Sequence, residues 1–272
     1  MFKLLVLIML LIILVLFNLF LIAPNEKRDC SAFSGLMYAH RGLHEPGIPE
    51  NSMEAFRRAR EGGYGVELDV QYTADGQIVV FHDATLSRMC GVDKKVADCT
   101  YEELKQYRLG GTEETIPLFK DVLQTLSDVP LVCEIKNHNG NFNDKLCKET
   151  YDYLCEYKGI YCIESFSPFL VRWFKINQPQ VIRGQLSCSM KKEKMNFVLK
   201  FAMSQLLINV FSRPDFIAYR HQDAFMPGFR ICKLFRPLLV AWTARGEKEQ
   251  ASAWKTFDSV IFEKYENPNP VE

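Results

Sequence analysis

The chain has 272 residues, with 33 lysines and arginines against 33 aspartates and glutamates, and it is 48% hydrophobic and 24% charged. That length suits one large domain or two small ones, and the composition is that of an ordinary globular protein. The balanced charge leaves no basic footprint and speaks against a nucleic-acid partner.

Leu4 to Ala23 is an uncharged apolar run of 20 residues, broken only by Asn18. About 20 such residues cross a bilayer as a helix. A signal-peptide core is shorter, about 7–15 residues, and ends in a small-x-small cleavage site. Phe20-Leu21-Ile22-Ala23 offers no such site. The expectation is therefore an uncleaved single-pass membrane anchor over residues 1–24, a linker over 25–36 and a catalytic domain over 37–272. Lys3 before the span and Lys27 and Arg28 after it leave its orientation open. The nine cysteines are odd in number and form no CxxC pair. Read as reduced, buried thiols, they favour a domain on the cytoplasmic side.

From Met37 onward, strand-like apolar runs alternate with amphipathic stretches. The expected strands are 37–41, 65–72, 77–82, 130–136, 160–166, 181–187, 216–221, 238–243 and 259–263. Helices are expected at Met53–Arg60, Leu118–Ser127, Asp144–Tyr157 and Pro168–Ile176. This alternation predicts an α/β fold of TIM (β/α)8-barrel type, with an open doubly wound sheet as runner-up. No GxGxxG or GxxxxGK follows a strand, so a nucleotide fold has no local support. Ala74-Asp75-Gly76 is too short for a parallel crossover and reads as a β-hairpin within residues 65–82. With Asp75 and Gly76 as the central turn residues, Ala74 pairs with Gln77 and Asp69 faces His82. Residues 84–116 read as a mixed insertion. Residues 188–214 are basic and apolar, and fit either a membrane-surface helix or an outer barrel helix.

Four strand-like runs are interrupted by titratable groups: Tyr38-Ala39-His40-Arg41-Gly42, Val66-Glu67-Leu68-Asp69-Val70, Val79-Val80-Phe81-His82-Asp83 and Val132-Cys133-Glu134-Ile135-Lys136. Such groups are costly in buried strands, so their recurrence points to a metal-assisted acid–base site. Phe166, Tyr219 and Trp242 fall near strand ends and are candidates for a substrate pocket. Asp83 either orients His82 or caps the next segment. Asn51 with Glu54 also fits a capping box opening the helix at Met53.

His40-Arg41-Gly42, Pro49-Glu50-Asn51-Ser52, Glu67-Leu68-Asp69-Val70, Asp75-Gly76, His82-Asp83, Glu134-Ile135-Lys136 and Val240-Ala241-Trp242-Thr243, in this order, resemble the glycerophosphodiester phosphodiesterase family. The resemblance spans roughly residues 37–265 and implies a TIM barrel. It implies general acid–base roles for His40 and His82, and metal ligation by Glu67, Asp69 and Glu134. It further implies phosphate binding by Arg41 and Lys136, with Glu50 and Asn51 in support at the edge of the site.

Each implied role has a chemical reason. A phosphodiester anion needs its charge neutralised before attack, which a carboxylate-held cation, an arginine and a lysine supply. Carboxylate oxygens favour Mg2+ or Ca2+ over zinc. Histidine titrates near neutrality and suits proton transfer to a leaving alkoxide. The expected activity is metal-dependent hydrolysis of glycerophosphodiesters to sn-glycerol 3-phosphate and an alcohol, with water or the neighbouring glycerol hydroxyl as nucleophile. The alternatives are a membrane-surface phospholipase acting on lysophospholipids or a glycerol-phosphate polymer, and a non-catalytic membrane-tethered binding module.

Overall fold

The computed structural model describes residues 1–25, 28–136, 138 and 144–264. Residues 26–27 of the expected linker, Lys27 among them, and 265–272 of the expected catalytic domain lie outside the described residues. A long apolar helix, α1 (Phe2–Ile22), opens the chain. There follow β1 (Met37–His40), α2 (Met53–Glu61), β2 (Gly65–Tyr72), β3 (Ile78–Val80), α3 (Ser87–Cys90), α4 (Tyr101–Leu104), α5 (Phe119–Leu126), β4 (Leu131–Ile135) and α6 (Asp144–Leu154). The chain continues through β5 (Tyr161–Ser165), α7 (Pro168–Asn177), β6 (Ile182–Ser187), α8 (Phe197–Ser204), α9 (Asn209–Ser212), β7 (Phe216–Arg220), α10 (Pro227–Lys233), β8 (Leu238–Arg245), α11 (Gly246–Ala253) and β9 (Ser259–Glu263).

Eight parallel strands close into a barrel in the order β1-β9-β8-β7-β6-β5-β4-β2, with β1 pairing back onto β2. All nine expected strands form, with ends displaced by at most two residues. β3 runs antiparallel to the far end of β2, so the hairpin rises above the barrel rim. Strand alternation sorts the side chains into two cores. Ala39, Val66, Leu68, Val70, Leu131, Cys133, Ile163 and Ile217 point outward and pack beneath the helices. Tyr38, Val132, Cys162, Leu186, Phe216, Val240 and Ile261 fill the barrel interior. The same parity turns His40, Glu67, Asp69, Glu134 and Glu263 inward, at the carboxyl ends of their strands.

The expected hairpin register is off by one residue. Tyr72 pairs with Ile78 and Val70 with Val80, and the amide of Phe81 donates to the carbonyl of Asp69. The loop is longer because Thr73 closes it. Its amide donates to Gln77 O at 3.0 Å, and its hydroxyl accepts from the Gln77 amide at 2.9 Å. Ala74, Asp75 and Gly76 then form a three-residue turn with Gly76 at φ +76°. Continued pairing would set His82 on the outer face, but the strand stops at Val80. Gln71 Nε2 donates to the carbonyls of Phe81 and Asp83 at 2.6 and 2.9 Å. That bend sends Phe81 into a small core with Leu86, Leu104 and Ile116, formed by the 84–116 insertion, and returns His82 to the barrel mouth.

The opposite barrel end is closed by Phe33, whose carbonyl accepts from Ser259 Oγ at 2.6 Å. α1 attaches on this side. Asn209 Nδ2 donates to Ile22 O at 2.7 Å, and Arg213 Nη1 to Phe20 O and Ala23 O at 2.8 and 2.6 Å. These bonds satisfy carbonyls that a helix end leaves open.

Gly184 tests the interior packing. A Cβ there would lie 2.2 Å from the Phe216 ring. Gly184→Ala is expected to lower stability by about 1–3 kcal/mol through overpacking. Urea unfolding of the detergent-solubilised chain measures it, and an unchanged midpoint would contradict this packing.

Candidate active site

The turn after β1 explains the His-Arg-Gly sequence. Arg41 and Gly42 both have positive φ, +55° and +81°. A Cβ on Gly42 would lie 2.8 Å from Ala55 Cβ, so glycine is required. The turn aims the Arg41 amide at Glu67 Oε2, 3.1 Å away, and its guanidinium at Glu50 Oε1, 2.7 Å away. Asn51, also at positive φ, donates its amide hydrogen to Arg41 O and its Nδ2 to Asp69 Oδ2 at 2.9 Å. It is therefore not the helix cap. Ser52 caps α2, with Oγ accepting from the Ala55 amide, and the expected Asn51–Glu54 capping box does not form. Strained residues gathered at one spot are typical of functional sites.

Glu67 and Asp69 on β2 and Glu134 on β4 offer carboxylate oxygens within 4.8 Å of one another, all buried. In register, Asp69 sits beside Glu134, and Glu134 beside Glu164 of β5. Lys136 Nζ lies 2.8 Å from Asp69 Oδ1 and 2.7 Å from Glu134 Oε2. Arg41 Nε lies 3.4 Å from Asp69 Oδ2. Burial, then the neighbouring charges of Asp69 and Glu134, pushes the Glu67 carboxyl well up. Burial also raises Glu134, to about 7 despite Lys136. Burial would raise Asp69 too, but Lys136, His82 and Arg41 hold it well below the usual carboxylate range. Glu164 is raised by burial and by Glu134, and its buried Oε2 has no hydrogen-bond partner. An all-oxygen donor set with surplus negative charge and an orphaned carboxylate oxygen fits a hard divalent cation.

Two histidines flank this cluster, each backed by a carboxylate. His40 Nδ1 lies 2.8 Å from Glu263 Oε1, and Arg245 Nε donates to Glu263 Oε2 at 2.9 Å. His82 Nδ1 lies 2.6 Å from Asp83 Oδ1. Arg88 joins Asp83 to Glu50, which continues to Arg41. A carboxylate only accepts, so each Nδ1 carries the proton and each Nε2 is left for chemistry. Burial lowers the His40 pKa, and Arg41 adds to it. Burial, Lys136 and Arg41 bring His82 down to about 3. Burial would raise Glu263, but the bond and charge of His40 and the charge of Arg245 draw it down to about 2.

His40, Arg41, Glu67, His82, Glu134 and Lys136 open onto one cavity of about 770 Å³. Phe166 and Trp242 line it, their rings edge to face at 5.6 Å. Tyr219 does not. Alternation on β7 points it outward, where it packs on Phe229 and its hydroxyl donates to Ser204 O at 2.8 Å. The structure also adds Glu263, Arg245, Arg88 and Glu164, for which the sequence carries no local signal. Asp83 takes the orienting role beside His82.

His82 sets a pH dependence. Its folded pKa lies near 3 and an unfolded histidine titrates near 6.5, so between these values the unfolded chain binds the extra proton. Stability is expected to fall as pH drops from about 6.5 towards 3, at up to roughly 1.4 kcal/mol per pH unit from this residue. His82→Gln should flatten that slope in urea titrations; an unaltered slope would contradict the burial argument.

The sequence model of the glycerophosphoryl diester phosphodiesterase family matches residues 40–218. A glycerophosphodiester phosphodiesterase of Caldanaerobacter subterraneus is 36% identical over 163 residues, 56% of this chain and 66% of that protein. A lysophospholipase D of Rattus norvegicus is 33% identical over 149 residues, 50% of this chain and 47% of that protein. The chain thus spans about half to two thirds of the length of these relatives. An Oleispira antarctica phosphodiesterase, solved with the product sn-glycerol-3-phosphate, superposes with TM-score 0.71 at 21% identity, covering 86% of this chain and 95% of that one. A glycerophosphodiester phosphodiesterase from Thermotoga maritima superposes with TM-score 0.64 at 25% identity, covering 84% and 93%. These likenesses establish the TIM-barrel fold, and with the match over residues 40–218 the chain belongs to the glycerophosphoryl diester phosphodiesterase family.

Proposed function

We propose that this chain is a membrane-anchored hydrolase that cleaves glycerophosphodiesters to sn-glycerol 3-phosphate and an alcohol. The observation that carries the reading is one cavity onto which two carboxylate-oriented histidines open together with Glu67 and Glu134, which share a buried carboxylate cluster with Asp69. Glu67, Asp69 and Glu134 would hold Mg2+ or Ca2+, which when bound neutralises phosphate charge. Arg41 and Lys136 hold the remaining phosphate charge, positioned by their own carboxylate partners. One histidine takes a proton from the nucleophile at Nε2, while the other, protonated at Nε2 when the phosphodiester anion sits beside it, gives that proton to the leaving oxygen. Glu50 ties Arg41 to Arg88, and Asn51 fixes Asp69. The nucleophile is water or the adjacent glycerol hydroxyl, and trapping of a cyclic glycerol phosphate would distinguish the second route.

A second substrate reading, lysophospholipids, is favoured by the apolar wall of the cavity, where Phe166, Phe169, Leu186, Leu199 and Trp242 exceed what glycerol needs. We divide the chain into an anchor at 1–24, a linker at 25–36 and a catalytic barrel at 37–272. Uncleaved anchoring is supported by Ile22, which is buried and bonded to Asn209. α1 has a mean hydropathy of 3.4. All nine cysteines are free thiols, which supports a barrel on the reducing, cytoplasmic side.

The test is turnover of glycerophosphocholine and lysophosphatidylcholine by the full chain with Mg2+, Ca2+ or chelator. His40→Ala and His82→Ala are each expected to lower kcat by about 10²–10⁴-fold. Chelation should abolish turnover, and Glu134→Gln should raise the cation concentration needed. Full activity in chelator, or in either histidine variant, would overturn the reading.

A further inference from the structure

We infer that the connection between β6 and β7, residues 188–204, is a lip of the active-site mouth that seats on the lipid bilayer and takes substrate from it. The delivery half rests on the hydrolase reading above; the seating half does not.

The connection has two sides. Its inner side, Met190, Met195, Leu199 and Met203, lines the catalytic cavity. Ser187 Oγ donates to Met203 O at 2.7 Å and Tyr219 Oη to Ser204 O at 2.8 Å, so the end of α8 is pinned to the barrel rim. Its outer side is apolar and uncovered. Phe197 and Val198 are 79% and 75% exposed, Phe201 is 51% exposed, and the two phenylalanine rings stack at 6.5 Å. Single exposed apolar residues are ordinary, but a contiguous aromatic face one helical turn long is a contact surface.

The occupant follows from the far end of the same connection. Asn209 and Arg213 hold the last turn of α1 against α9, which continues this connection towards the opposite barrel end, so the apolar helix leaves from the side of the barrel that carries the connection. The exposed apolar body of α1 suits a bilayer, which then meets the domain on this side of the barrel. Charge agrees. Residues 188–204 carry Lys191, Lys192, Lys194 and Lys200 against the single acid Glu193, a net of 4 − 1 = +3. Basic residues around an aromatic face suit an anionic leaflet. Seated this way, the lip opens the cavity's apolar wall towards the acyl-chain layer, while the charged wall stays over the headgroups.

The full chain is reconstituted in nanodiscs of phosphatidylcholine with phosphatidylglycerol, with photoreactive benzoylphenylalanine in place of Phe197 or Phe201, or of Tyr153 on α6 as the exposed control. Phospholipid adducts are expected at 197 and 201 and not at 153. Their absence at both positions, or protein adducts in their place, would overturn the seating. The Phe197→Ser/Phe201→Ser variant should cleave bilayer-embedded lysophosphatidylcholine at least about five-fold more slowly, with soluble glycerophosphocholine turnover unchanged. Equal effects on both substrates would overturn the delivery. Lipid adducts on a chain that cleaves neither substrate would remove the hydrolase reading and the delivery, leaving the seating.

Discussion

Mutual repulsion among buried carboxylates at one end of the barrel is the constraint around which the rest of the site is arranged. Glu67, Asp69 and Glu134 bring their oxygens within 4.8 Å of one another in a buried layer at the floor of the cavity. Two of the three are driven towards protonation by burial and by one another. Such a cluster costs stability unless positive charge enters it. Lys136 and Arg41 supply part of that charge from within the chain, and neither reaches the three acids equally. A divalent ion would supply the remainder, and its field would also suit a phosphodiester anion.

The surrounding sequence is organised to deliver these cations and to aim two imidazoles. Arg41 and Asn51 adopt left-handed backbone conformations, tied to each other through Asn51 N–H and Arg41 O. This strain places one guanidinium and one amide on the acids of a neighbouring strand. The ion-pair chain from Arg41 through Glu50 and Arg88 to Asp83 ends on His82, so Arg41 and His82 share one network. His40 belongs to a separate arm, through Glu263 to Arg245, which closes the barrel between its first and last strands. The imidazoles are thus positioned independently, which suits the two opposite proton transfers proposed for them.

The strands were legible because β-branched and aromatic runs alternate with amphipathic stretches, and the acids because they interrupt those runs at alternate positions. Parity then places Glu67 and Asp69 on one face without further information. The hairpin register was not legible, because the choice between a two- and a three-residue turn rests on the Thr73 hydroxyl. Tyr219 was misplaced because Phe216-Ile217-Ala218-Tyr219 is apolar throughout, as strands of a barrel buried on both faces are, and carries no mark of inside or outside. Glu263 pairs with a histidine 223 residues away and Arg88 with a glutamate 38 residues away, contacts that only barrel closure creates. Glu164 stands next to Ser165 near the end of its strand, with no second charged residue in the run, and it acquires meaning only beside Glu134.

The most direct measurement is electron paramagnetic resonance of Mn2+ titrated into the full-length chain, which counts bound ions without turnover. One tight site is expected, competed by Mg2+ or Ca2+ and weakened or lost in Glu67→Gln, Asp69→Asn and Glu134→Gln while the unfolding transition persists. No bound Mn2+ in the unaltered chain, or a site that survives all three substitutions, would contradict it.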